Sequence, residues 1–327
     1  SVMRAPFDIA FLLLPNFSMI ALYSALEPLR VANRFAGELF AWRFASLDGN
    51  AVTASNGIPV SVSAALPKMD RPNLVMVCSS YDHQHAISPD LCAALRKLDA
   101  AGVWLGGLDT GSIVLAEAGV LDGRRATCHW ETLSAMREDF PRVSVSDALY
   151  EVDGPRLTSS GGTAPLDMML AWIGSLHGRD LATRVADTLV HARHGDAPGG
   201  TRIPARTRYE VDDDALLGAI SAMESHLEDL LRLEDVADAA GVSPRQLERR
   251  FKRLLGMPPM RFYLSLRLER AEHLLTYSRL SVRDAGLASG FSSIAQFSRA
   301  YRTRYGLSPS QHRRKIAADS RRPLREA

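Results

Sequence analysis

VWLGGLDTGSIVLAEAG, Val103 to Gly119, is the stretch on which the fold turns. VWLGGL (Val103–Leu108) reads as a buried strand, Asp109-Thr110-Gly111 as a tight turn, and the residues after it as a helix. Many α/β enzymes hold their nucleophile on such a strand–turn–helix. A cysteine or serine is expected at the turn, and this chain puts Asp109 there. Either Asp109 performs unusual chemistry, or an enzyme-like frame has been kept for another purpose.

The flanking sequence repeats the same alternation. Phe7–Leu14 (FDIAFLLL) is a continuous apolar run suited to a parallel strand covered on both faces, and a helical pattern follows it. Trp42–Leu47, Asn73–Ser80 and Val103–Leu108 are further strand candidates. Ser88–Gly102 starts with a capping serine and a proline and stops at a glycine, as a helix should. Ser159–Gly178 is a Gly-rich turn feeding a helix, and a second helix is expected from about Asp180 to His194. Strands alternating with helices predict an α/β fold, a mostly parallel sheet with helices on both faces, over residues 1–194. Residues 195–211, rich in Gly, Pro and Arg, read as a linker. From 212 to 327 the pattern is all-α.

Charge divides along the same line. Residues 1–239 hold 20 Lys and Arg against 31 Asp and Glu, whereas residues 240–327 hold 19 against six. So basic an end points to a polyanionic partner, most often nucleic acid. The three cysteines, Cys78, Cys92 and Cys128, have no paired spacing, which argues against a disulfide framework or a CxxC metal site. His83 and His85 have metal-like spacing without a clear further ligand, and a loop is the better reading. No cofactor is implied. The apolar run Ile9–Leu26 is broken by Pro15, Asn16 and Ser18, so no membrane span is expected and the expected location is cytoplasmic.

Within the basic end one unit occurs twice, at Leu233–Pro259 and Ser281–Pro309. Each reads as a short helix, a turn with an early glycine, and a basic helix with an apolar stripe, which is the helix-turn-helix plan. In the first unit Leu247, Phe251 and Leu254 are expected in the core, leaving Arg245, Gln246, Arg249, Lys252 and Arg253 outside. In the second, Phe297, Ala300 and Tyr301 face in, and Ser293, Ile294, Gln296, Arg299 and Arg302 face out. Arg, Gln and Ser at the start of such a helix suit base edges, and the later arginines suit phosphates. Two units in one chain suit two successive major grooves of double-stranded DNA, about 34 Å apart.

GFSSIAQFSRAYRTRYGLSPS (Gly290–Ser310) closely resembles the signature of the AraC/XylS family of bacterial transcription regulators, and the resemblance covers the last hundred residues. One departure is His312, where the family usually has an aromatic before Arg313; a packing contact is expected to weaken there. Phe7 to His194 resembles the class I glutamine amidotransferase-like superfamily in its PfpI-type branch, which implies a flavodoxin-like parallel-sheet sandwich. That resemblance rests on Glu27 in ALEPLR, the elbow at Asp109, and Leu115–Trp130. It implies that Asp109 holds the nucleophile's place, that Glu27 is the carboxylate facing it, and that His129 is a nearby imidazole.

Asp109 cannot supply a thiolate, so a sensor pocket is favoured over thiol catalysis. The helix N-terminus is expected to hold Asp109 ionised. With Glu27 it forms an anionic pocket for a cationic effector, a pocket that includes Thr110, His129 and Trp130, with Trp42, Tyr81 or Trp130 adding cation–π attraction. LDTG also resembles the elbow of regulators of glycine betaine, carnitine or arginine catabolism. The expected function is a ligand-responsive transcription regulator, a homodimer, with RNA polymerase as a candidate further partner. Three plainer readings stay open: Asp109 only caps the helix, Asp109 is the nucleophile of a hydrolase, or the protein binds DNA without any ligand.

Overall fold

The computed structural model describes residues 5–191, 202 and 204–319. The chain divides into two compact units, Ser1–Thr201 and Arg202–Ala327. Strands of the first are β1 (Phe7–Leu13), β2 (Phe40–Ser46), β3 (Val52–Thr53), β4 (Pro59–Val60), β5 (Ala64–Ala65), β6 (Leu74–Cys78), β7 (Trp104–Leu108), β8 (Arg125–Ala126), β9 (Ser144–Val145), β10 (Tyr150–Asp153) and β11 (Arg156–Ser159). Seven of them form one sheet in the order β10-β11-β7-β6-β1-β2-β5. All its pairs are parallel except β10–β11 at one edge.

Helices of this unit are α1 (Met19–Ala36), α2 (His83–Ala86), α3 (Pro89–Ala100), α4 (Gly111–Glu117), α5 (Leu133–Asp139), α6 (Ala164–His177) and α7 (Arg179–Thr188). The central strands are apolar throughout because both faces are covered. Ile9, Phe11 and Leu13 of β1 enter a core with α1, α6 and α7, and Ala10 and Leu12 enter a second core with α3, α4 and α5. The last helix ends at Thr188, earlier than expected, and His194 lies outside the described residues. Trp42 sits in mid β2, in register with Ile9, and packs against the first core. It belongs to the sheet's interior and not to the strand ends where the elbow lies.

The second unit contains α8 (Ala205–Arg208), α9 (Asp214–Ser225), α10 (Leu233–Ala239), α11 (Pro244–Leu255), α12 (Pro259–Tyr277), α13 (Val282–Ala288), α14 (Ile294–Tyr305) and α15 (Pro309–Asp319). Gly195–Thr201 and Ile203 of the expected linker lie outside the described residues. From Pro204 on the segment is packed: it forms α8 and buries Val211. Two helix-turn-helix units follow, α10–α11 and α13–α14. Their turn glycines, Gly241 and Gly290, have φ of 68° and 78°, a region that side chains disfavour.

The basic helices are capped as the sequence suggests. Ser243 and Gln246 form a reciprocal capping box on α11, and the Ser293 hydroxyl accepts from the backbone N–H of Gln296 on α14. Leu247 and Phe251 are buried, but Leu254 is 37% exposed and half-buried Leu255 takes its place. The stripe runs in steps of four, so it drifts past the position that a step of three selects. Helix α12 serves two cores, giving Phe262, Tyr263 and Leu266 to the first and Leu268, Ala271, Leu274 and Leu275 to the second. From the same helix Arg267 donates to the carbonyl oxygens of Ser289 and Gly290 and stacks on Phe291.

The contact expected to weaken at His312 is instead replaced by a polar one. Its imidazole lies 2.5 Å from the Tyr301 hydroxyl, with the rings 5.8 Å apart. No helix among the described residues is long and apolar enough to cross a membrane.

Candidate functional site

The elbow is shaped by what cannot fit beside it. A Cβ on Gly111 would lie 2.1 Å from the Val77 carbonyl oxygen, and one on Gly107 would lie 2.5 Å from the backbone nitrogen of Ser112. Glycine at both places lets α4 press against β6 and β7. The turn then forces Asp109 into the left-handed region, at φ 62°, which aspartate tolerates better than most residues.

Asp109 is almost closed to water, 6% exposed. It is not the helix cap. That position is Thr110, whose own hydroxyl donates to the Ser80 carbonyl oxygen at 2.6 Å. The Asp109 carboxylate accepts from the backbone N–H of Thr110 and from the Ser80 hydroxyl. Burial nevertheless raises its pKa to about 6; the His129 imidazole and the two hydrogen bonds oppose the shift, and Glu131 adds to it. The helix end was expected to favour the ionised form; the pKa moves the other way, and the carboxylate is charged only above about pH 6. Helix α4 is only seven residues long, and the desolvation of a carboxylate outweighs what its N-terminus offers.

Around this carboxylate the structure brings together some of the expected residues. A Cβ on Gly161 would lie 2.8 Å from Asp109 Oδ2 and 2.6 Å from His129 Cδ2, so both groups press on the same bare glycine. Trp130 stacks beside His129, with ring centroids 5.8 Å apart. Tyr81 is exposed, and the charges of Glu131 and Asp109, with partial burial, raise its pKa. Glu27 behaves otherwise. It stands mid-way along α1 and pairs with Arg30 at 2.6 Å, while the groups that set the charge of Asp109 are His129, Thr110, Ser80 and Glu131.

Ser80 and Glu131 were not among the expected pocket residues, whereas Gly161 lies in the Gly-rich turn that opens Ser159–Gly178. Strand order brings Ser80 and Gly161 to Asp109. β7 lies between β6 and β11, and Leu108 is in register with Cys78 on one side and Ser159 on the other. The residues just past these three strand ends therefore converge: Ser79-Ser80, Asp109 and Ser160-Gly161. The recurring serine pairs at strand ends were the available signal.

The cysteines offer no substitute nucleophile. Burial pushes the Cys128 thiol up to about 12 and raises the Cys78 thiol as well. His83 is buried at the start of the short helix α2, where a loop was expected, and its pKa is lowered by burial to about 4. Among the described residues no group of three His, Cys, Asp or Glu is placed to hold a metal ion.

On the helical unit, Arg245, Gln246, Arg249, Lys252 and Arg253 of α11 are all exposed, as are Ser293, Gln296, Arg299 and Arg302 at α14. Three carry structural duties too. The Gln246 side-chain oxygen accepts from Ser243 N–H at 2.9 Å, and Ser293 caps α14. Arg253 lies 3.9 Å from Asp213, a residue that also pairs with Arg250. Ala295, Ser298, Arg299, Arg302 and Thr303 outline a hollow of about 350 Å³ on α14. Gln296 and Arg299 also border a groove of about 980 Å³ against α12.

Comparison with known proteins fits both geometries. Residues 9–174 match the DJ-1/PfpI family, and residues 236–315 match a helix-turn-helix domain family. The HTH-type transcriptional regulator CdhR of Pseudomonas aeruginosa is 47% identical over 306 residues, covering 94% of this chain and 91% of that one. The HTH-type transcriptional regulator GlxA of Rhizobium meliloti is 37% identical over 309 residues, covering 94% and 95%. A solved AraC family transcriptional regulator from Pseudomonas putida matches at 28% identity and TM-score 0.53, covering 56% of this chain and 100% of its own. A THiJ/PfpI family protein from Pseudomonas syringae, 18% identical at TM-score 0.53, covers 73% of this chain and 92% of its own and shares the fold. Joined to the paired basic helices, these likenesses make the chain a DNA-binding regulator: it belongs to the AraC-type HTH transcriptional regulators that carry a DJ-1/PfpI domain at the N-terminal side.

Proposed function

We propose that the α/β unit senses a small cationic effector, an amine or amino-acid-derived compound, and that the helical unit carries the response to promoter DNA of genes for its catabolism. The single observation behind this reading is Asp109. The elbow holds a carboxylate where a thiol would be needed for catalysis, and burial leaves that carboxylate short of compensating charge. A cation entering beside it would restore the balance, and Tyr81 and Trp130 are near enough to border such a ligand. Signalling is then a shift between two presentations of the DNA-binding units rather than a chemical step. In the same proposal the protein acts as a homodimer and meets RNA polymerase at the promoter. Arg245, Gln246, Arg249, Ser293 and Gln296 take base edges, while Lys252, Arg253, Arg299 and Arg302 take phosphates.

Calorimetry at pH 8 with glycine betaine, carnitine and a panel of amino acids tests the sensor. One compound should bind, its affinity should fall as the pH drops through 6, and Asp109→Asn should weaken it at least tenfold. Absence of heat from every cation, or equal binding by the variant, refutes the assignment.

A further inference from the structure

The two recognition helices share a frame but not a leading edge. Aligned on their caps, Ser243 and Ser293, and on their buried aromatics, Phe251 and Tyr301, they place Pro244 against Ile294, Arg245 against Ala295, Glu248 against Ser298 and Arg249 against Arg299. The first turn of α11 thus begins with a proline followed by a guanidinium and an amide. The first turn of α14 begins with two hydrocarbon side chains, Ile294 and Ala295, both exposed.

Ile294 is the anomaly. It is 51% exposed, as the first residue of a helix whose other outward residues, apart from the small Ala295, are polar or basic. The core of this unit is already filled by Phe291, Phe297 and Tyr301. Isoleucine is also a weak helix former beside the Gln or Glu that usually serve an open first turn. Packing and propensity therefore leave it without a role in the folded chain alone.

We propose that the second unit reads thymine through Ile294. The reading rests on this helix entering a major groove as a DNA-binding helix. There, the thymine C5-methyl is the apolar group on the base edges, and an alkyl side chain recognises it by excluding water. The two units then use different chemistries. α11 reads its half-site by hydrogen bonds from Arg245 and Arg249, and α14 reads its half-site in part by methyl contact, with Arg299 and Arg302 holding the helix to the backbone.

The test uses the full chain to select a duplex site from a random-sequence pool. Each thymine is then replaced singly by deoxyuridine, which removes only the methyl group. At a thymine in one half-site the replacement should weaken the wild-type protein roughly fourfold, the loss expected for one apolar carbon. Ile294→Ala should be indifferent to that replacement, Ile294→Val should keep part of the sensitivity, and Arg249→Ala should keep all of it. The proposal is overturned if no thymine is sensitive, if the sensitivity survives in Ile294→Ala, or if Ile294→Ala changes the oligomeric state in place of the base preference. Recovery of no site, with binding insensitive to salt, would instead sink the DNA-binding reading beneath it.

Discussion

Asp109 and Arg249 are each one charge on a short helix-bearing motif, yet they are opposites. Asp109 is shut into a crevice between three strand ends, and its protonation is set by the protein around it. Arg249 stands on the open face of α11 with water on it. A buried charge acts singly and through its desolvation, so one residue can define a pocket. Exposed charges act by number, each contributing little until a polyanion collects them. A closed crevice and an open basic face are thus opposite uses of electrostatics within one chain.

Phe297→Ala removes the bed on which α14 rests and should cost about 3–5 kcal/mol of the helical unit's stability in urea unfolding. A loss under 1 kcal/mol would mean that the exposed arginines are not held by this core.

Asp109→Asn comes next. The folded pKa of about 6 lies above the ordinary 3.8. Between those values the folded chain binds more protons than the unfolded one, so stability falls as pH rises from about 4 to about 6, by about 3 kcal/mol in total. The asparagine variant should lack that fall and be the more stable protein at pH 8, by thermal unfolding. An identical pH profile in the two proteins would show that Asp109 is solvated.

Smaller effects are expected on the open side. Arg249→Ala and Arg299→Ala should each weaken DNA binding by about 1–3 kcal/mol if they touch bases, or lower the salt slope by about one if they touch phosphate. Electrophoretic titrations at several salt concentrations distinguish the two. Smallest is Glu27→Gln, because the pair with Arg30 is an exposed one on a single helix. It should change stability by less than about 0.5 kcal/mol and leave the pH profile of Asp109 where it was. A large effect would return Glu27 to the pocket.

The four central strands, both helix-turn-helix units and their exposed cations were legible because each rests on local pattern: apolar runs for β1, β6 and β7, a capped periodic stripe for α11 and α14. The edge pair β10–β11 and the short strands β3, β5 and β8 were not, since two to four residues carry little periodicity. The pocket was legible only in part. His129 was placed by the resemblance that covers Leu115–Trp130, about 20 residues past the elbow, but Ser80 reaches Asp109 through strand order, which no local pattern encodes. The sign of the Asp109 shift was missed for a related reason. A helix N-terminus is visible in sequence, whereas the depth of burial that overrules it depends on everything packed above the sheet.

The left-handed turn at residue 109 has a consequence for how such domains diversify. The pose of that side chain is imposed by the backbone of the turn, itself fixed by the close approach at Gly107 and Gly111. The frame aims whatever residue it carries at the same point past the strand ends. Exchanging that one side chain therefore changes the chemistry presented there and leaves the frame in place.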